Sequence, residues 1–211
     1  MATSRIRFTK AGQVFDTFAG LDELVARPKT DKETEMEPVA YVDVLRRQDP
    51  PFAALAFFAH VLPKREAVWW GHQCVVGLMP ELAGREAEIM ALSEAWVREG
   101  DEDSRVAVKT AVDQEKADKA AVWVGYAAGW SGGSLSPNPD HRVETPDDLT
   151  AKAVNTALLI AIGQIGPKGR SQAMQSCLSA GLEFAAGKPM PAVRATPATG
   201  SAADTSPGKG D

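Results

Sequence analysis

Three prolines, Pro38, Pro51 and Pro63, each stand at the head of an apolar segment with helical spacing, and this punctuation constrains the fold more than any other feature of the chain. Proline lacks the N–H that an interior helical turn must donate, so it is tolerated in the first turn and disruptive later. Pro38 therefore opens a helix in PVAYVDVLRRQ, with Val39, Val42 and Leu45 on one face and Arg46 and Arg47 in a last turn where the helix dipole favours cations. In DPPFAALAFFAHVL, Asp49 is placed to cap, and Pro51 starts a second helix, Pro51 to Leu62, that is apolar nearly all round and so belongs in a core. Pro63 opens a third, so two helices meet end to end with a sharp change of direction before Met79 and Pro80 close the run.

The rest of the chain repeats this pattern. Val14, Phe18, Leu21 and Val25 recur at helical spacing up to Pro28. A helix from Gly84 to Glu99 places Ile89, Leu92, Ala95 and Trp96 on one face and is ended by Gly100. Ser104 to Ala128 reads as one helix or two around the polar DQEKADK, in which Glu115 and Lys119 stand as an i, i+4 pair. Thr145, Pro146 and Asp148 mark a start with capping and first-turn acids, and the helix behind them reaches Ile165 with apolar residues over more than half its circumference, which implies a central position. A last helix, about Ser171 to Ala186, has Gly181 on its apolar stripe, suited to a close helix contact. Between these, KTDKETEME reads as a solvated connection and GWSGGSLSPNPDHRVE as an irregular loop, and only RIRF near the start resembles a strand.

The expected fold class is all-α, a compact bundle of about seven or eight helices. Residues 1–12 form an N-terminal extension, residues 13–187 a single helical domain, and residues 188–211 a tail rich in Pro, Ala, Gly, Ser and Thr. That tail has too little apolar surface to offset the entropy of ordering and is expected to be disordered.

A net charge of −5 argues against binding dominated by phosphate neutralisation, so nucleic acid is not an expected partner. The longest apolar run, FAALAFFAHVL, falls short of the roughly 20 residues of a membrane span. The N-terminus lacks the apolar stretch of a secretory signal, and a cytoplasmic protein is expected. Cys74 and Cys177 sit among apolar or small residues, as buried reduced thiols do. His72 and Cys74, spaced i, i+2 on a helix, point to nearly opposite sides and cannot chelate one ion, and His60 inside its apolar helix reads as a core histidine. Neither a metal, a cofactor nor a catalytic residue is expected.

The chemically densest segment is LPKREAVWWGHQCVVGLM, Leu62 to Met79. Ala67, Trp70, Gly71, Cys74, Val75 and Leu78 form one apolar stripe, whereas Trp69 lies about 100° around the helix and joins Arg65, His72 and Val76 on a second face. Lys64 and Arg65 occupy a first turn, where the dipole disfavours cations by roughly 0.3–1 kcal/mol each, so something must compensate. Two accounts follow. Lys64, Arg65 and Trp69, with Trp130 beside its glycines, could form a protein-binding surface, since Arg and Trp dominate interface energetics. Alternatively Arg65 pairs with a neighbouring acid while its stem covers Trp69, and Trp130 plugs the core.

LPKREAVWWGHQC, Leu62 to Cys74, resembles the most recognisable stretch of an uncharacterised bacterial family of small all-helical proteins, in which a proline, a basic pair, Glu-Ala and a Trp pair open a central helix. By length and general pattern the resemblance covers residues 10–187. It implies a bacterial origin, an α-helical domain and association with secretion-system gene clusters, and carries no catalytic assignment. The expected function is a non-enzymatic helical interaction module with a protein partner. The alternative is a small-molecule binder or enzyme with a pocket lined by Glu66, Trp69 and His72. Self-association stays open.

Overall fold

The computed structural model describes residues 4–136, 138 and 140–194. Among them are ten α-helices and no strand: α1 (Ala11–Thr17), α2 (Asp31–Thr34), α3 (Pro38–Leu45), α4 (Phe52–Val61), α5 (Lys64–Leu78), α6 (Gly84–Glu99), α7 (Glu102–Val112), α8 (Ala120–Gly129), α9 (Leu149–Gly163) and α10 (Pro167–Ala185). The expected all-α bundle is present. The count exceeds the expected seven or eight for two local reasons. The charged connection winds into the single turn of α2, where Thr30 accepts a hydrogen bond from the Glu33 amide. The 104–128 stretch divides at its polar centre into α7 and α8. There Glu115 and Lys119 do not pair with each other but with Arg85 and Glu86 of α6, at 2.9 and 2.7 Å, so the turn is tied across to a neighbouring helix.

The proline punctuation sets the architecture around a buried α4. Eight consecutive residues of α4, Ala54 to Val61, are buried, which fits a helix apolar on all sides. Pro63 precedes the first residue of α5 rather than occupying it, and Pro51 does the same for α4. Asp49 does not cap α4; its carboxylate accepts from the Ser171 hydroxyl of α10 at 2.5 Å. The centre of the bundle is α9, which packs against α4, α5, α8 and α10. The aspartates before it serve as ion-pair partners instead of caps, Asp148 with Lys152 at 2.7 Å and Asp147 with Lys64 at 3.0 Å.

Trp70 marks where α5, α4 and α10 meet. Its ring meets Phe58 edge-on at 4.8 Å, and its Nε1–H donates to the Cys177 carbonyl at 2.9 Å. A Cβ at Gly181 would overlap the Phe58 ring and lie 2.6 Å from Trp70 Nε1, so only glycine admits this approach of α10. Cys74 and Cys177 are both fully buried free thiols on these facing helices, and burial beside its neighbour pushes the Cys74 thiol up.

The two ends of the described chain are extended and docked. RIRF makes no strand: the Arg5 amide donates to the Ala185 carbonyl at 2.9 Å and the Arg7 amide to Val61 at 3.1 Å, tying the start of the chain to the ends of α10 and α4. After α10 the first residues of the tail expected to be disordered are placed against the bundle. Val193 is buried, its backbone lying against Gly77 of α5, where a Cβ would run into the Val193 carbonyl. The remainder of the expected tail, residues 195–211, lies outside the described residues.

Candidate functional site

The residues singled out in the sequence separate into four places. Arg65, Glu66 and Trp69 open onto one shallow cleft of about 460 Å³, completed by Arg5, Val97, Arg98 and Phe184. Lys64 turns to the other side of α5, where its ammonium reaches Asp147 at 3.0 Å and the Ser131 carbonyl at 3.1 Å and holds the Asp147 carboxyl below its usual range. His72 is buried beneath the cleft. Trp130 places its ring in a separate aromatic group on α8.

The cleft lies where the first turn of α5 meets the last turns of α6 and α10. A helix C-terminus leaves carbonyls without intrahelical donors and carries the negative end of its dipole, so a cation is favoured there. Arg65 fills this role for α6: its Nε–H and an Nη2–H donate to the carbonyls of Val97 and Arg98, beside Gly100 at φ +71°. This is the compensation that a cation in the first turn of α5 requires, supplied by backbone carbonyls of the next helix rather than by an acid. Arg5 does the same for α10, donating from Nη1 to the carbonyls of Phe184 at 2.9 Å and Lys188 at 3.2 Å while its guanidinium covers the Phe184 ring at 4.1 Å. Arg98 is exposed and pairs with Glu94 one turn back on α6.

Trp69 is half-buried, its ring stacked on His72 at 5.5 Å and 11°. Burial holds His72 neutral, against the opposite pull of the Glu94 carboxylate and the Met90 carbonyl. Its Nε2 faces the Met90 carbonyl at 3.1 Å, and its Nδ1 faces the Gln73 amide at 3.2 Å. With Nε2 protonated and Nδ1 accepting, both ring nitrogens are used, and the imidazole is a fixed backing for the indole. His60 is likewise buried and lowered by burial; its Nδ1 meets the Ala56 carbonyl at 2.7 Å, while Nε2 has no partner among the described residues.

The group around Trp130 is different. Tyr126 stacks on Trp130 at 4.5 Å, and Trp123 meets Trp130 edge-on at 6.1 Å. Trp123 Nε1–H donates to the Ala117 carbonyl at 2.9 Å and the Tyr126 hydroxyl to Val112 at 3.3 Å. The neighbouring SGGS loop wraps a buried cation: Arg105 binds Glu102 through two hydrogen bonds of 2.6 and 2.7 Å and donates to the Gly129 carbonyl, with Gly133 against its guanidinium.

Sequence reasoning did not find Arg5, Arg98 or Phe184. The readable signals were Gly100 and Gly187, which mark the helix ends whose carbonyls need donors, and the basic RIRF, which supplies one of them. Among the described residues no helix is long and apolar enough to cross a membrane.

An all-helical domain with a basic, aromatic-walled cleft at a junction of helix ends is what the fold and the site define. The chain belongs to the family of unknown function DUF6931, whose model matches residues 41–185, more than half of its length. The match runs from α3 to the end of α10 and leaves α1 and α2 outside, a narrower span than the 10–187 expected from the resemblance. No curated protein and no solved structure matches it.

Proposed function

We propose that the protein is a non-enzymatic interaction module that binds a protein partner through the cleft at the N-terminal end of α5. The observation that supports this most is the combination of Trp69, partly exposed on a fixed histidine backing, with two arginines whose positions are set by helix ends and whose donors are only partly used. Arg and Trp held in place in this way lose little conformational entropy when a partner docks, which is the property of interface hot spots. The setting as an adaptor or accessory of a bacterial multiprotein system, secretion-associated, rests on the resemblance of the Leu62 to Cys74 stretch alone.

A pocket enzyme built on Glu66, Trp69 and His72 has less to recommend it. His72 does not line the cleft and has both ring nitrogens occupied, and the cleft is open along one side, unlike pockets that enclose a small ligand.

The test is affinity purification from the native host of the wild-type chain beside a Trp69→Ala, Arg98→Gln variant, read by mass spectrometry, with circular dichroism to show that both are folded. Arg65 is left intact because it caps α6. A partner retained by wild type and lost by the folded variant is the expected result; a partner retained equally by both removes the cleft from the interaction.

A further inference from the structure

We propose that the occupant of the cleft is an acidic segment of a partner protein carrying one aromatic or long aliphatic side chain, the acid taken by Arg5, Arg65 and Arg98 and the apolar side chain laid on Trp69. This names the ligand of the interaction site above and so rests on that reading.

Guanidinium chemistry points to the acid. Each guanidinium has five N–H donors in a planar fork. Arg65 spends two on the carbonyls of Val97 and Arg98, and Arg5 spends its Nη1 pair on those of Phe184 and Lys188, which leaves three on each without a hydrogen bond to any described residue. The carbonyl ends of α6 and α10, which would otherwise repel an anion, are already covered by these same arginines. A carboxylate matches the remaining fork in two parallel hydrogen bonds, a geometry that gives direction as well as attraction. Arg98 adds a third cation, and its bond to Glu94 is an exposed i, i+4 pair of the kind that contributes a few tenths of a kcal/mol and yields readily.

Charge complementarity selects the same chemistry. The chain as a whole carries −5, yet three of the seven residues lining this cleft are arginines and only one, Glu66, is an acid. A local positive site on an acidic protein steers acidic partners to one place and repels them elsewhere. The apolar component follows from Trp69. Its indole face has His72 behind it and the cleft in front, and Val97 continues the apolar floor, so a flat or long apolar side chain can lose water there. The cleft is shallow and open, which suits an extended segment crossing it better than a small molecule enclosed by it.

The test is selection of a random dodecapeptide display library on the immobilised full-length chain, with affinities of the enriched peptides measured by fluorescence anisotropy. Net-negative sequences with a Trp, Phe or Leu are expected, with binding weakened at least tenfold by Trp69→Ala, severalfold by Arg98→Gln and progressively by added salt. Trp69→Phe, which keeps a flat apolar ring, should retain most of the affinity. Absence of any enriched peptide, enrichment without an acidic bias, or acidic peptides indifferent to both substitutions overturns the assignment. A neutral apolar consensus that still requires Trp69 overturns the acidic ligand while leaving the interaction site standing. A concentration-dependent mass in light scattering that disappears in Trp69→Ala makes a second copy the occupant and likewise overturns it.

Discussion

Trp69 and Trp70 are consecutive in the sequence and sit on two faces of α5 with opposite surroundings. Trp70 is fully buried, its one polar atom bonded to the Cys177 carbonyl and its ring closed in by Phe58 and the bare backbone of Gly181. Trp69 is half-buried, stacked on one side only, and bordered by arginines with donors to spare. The residue type is the same, and the difference lies in whether the surroundings have already used what the side chain offers. The Trp130 group supports this lesson from a third position: it is also partly exposed, but Trp123 and Tyr126 have their polar ends satisfied by nearby carbonyls and Trp130 is stacked on Tyr126. Aromatic exposure alone is therefore a weaker sign of a partner than exposure beside unspent charged donors.

The contrast between the two faces can be broken most severely at Trp70. Trp70→Ala should cost about 3–5 kcal/mol, because it removes a large buried ring and leaves the Cys177 carbonyl without its donor. Urea unfolding followed by circular dichroism measures it, and against a native stability of about 5–15 kcal/mol the loss should be plain.

Acidification sharpens the same contrast, since His72 belongs with Trp69 in position but with the core in burial. Both His60 and His72 have pKa values lowered by burial, so below about pH 6.5 the unfolded chain binds protons that the folded chain refuses. Stability is thus fully present above the unfolded value and falls as pH drops below it, by up to about 1.4 kcal/mol per pH unit for each histidine. Urea midpoints between pH 7.5 and 5.5 should decline, and a His60→Asn, His72→Asn variant should show a flatter profile in that window.

On the buried face, Gly181→Ala should destabilise by about 1–3 kcal/mol, because the added methyl meets Phe58 and Trp70 in a packed core. On the open face, Trp69→Ala should lose about 2 kcal/mol, less than Trp70→Ala, because it forfeits one stacked aromatic pair and a ring that is only partly buried, while the proposed partner binding should fall at least tenfold. A Trp69→Ala loss as large as that of Trp70→Ala would erase the distinction.

Much of this fold was legible in the sequence because its signals are local. Proline punctuation and helical spacing located α3 to α6, the polar DQEKADK located a break that could not be decided within one helix, and Gly181 foretold a close contact. The apolar stripe through Trp70 and the different direction of Trp69 follow from 3.6 residues per turn alone. The cleft was legible only in part, as Arg65, Glu66 and Trp69, because these share one end of one helix. Arg5 and Phe184 come from elements at opposite ends of the chain and are joined by a helix end that had to find a donor. Lys64 adjoins Arg65 in sequence but faces Asp147, a partner fixed by the placement of the 130–148 loop, which periodicity does not reach. His72 reads from spacing as a member of the second face and as lining of the alternative pocket, and it is instead buried where its Nε2 meets the Met90 carbonyl of α6.

The most direct test of the central claim, that the cleft beside Trp69 recognises a partner, is site-specific photocrosslinking in the native host. A photoreactive phenylalanine analogue is placed at position 69 or at Val76, an exposed residue further along α5 and away from the cleft. A discrete adduct from position 69 and none from position 76 is the predicted result. The same adducts from both positions, or none from position 69 in a folded protein, would contradict it.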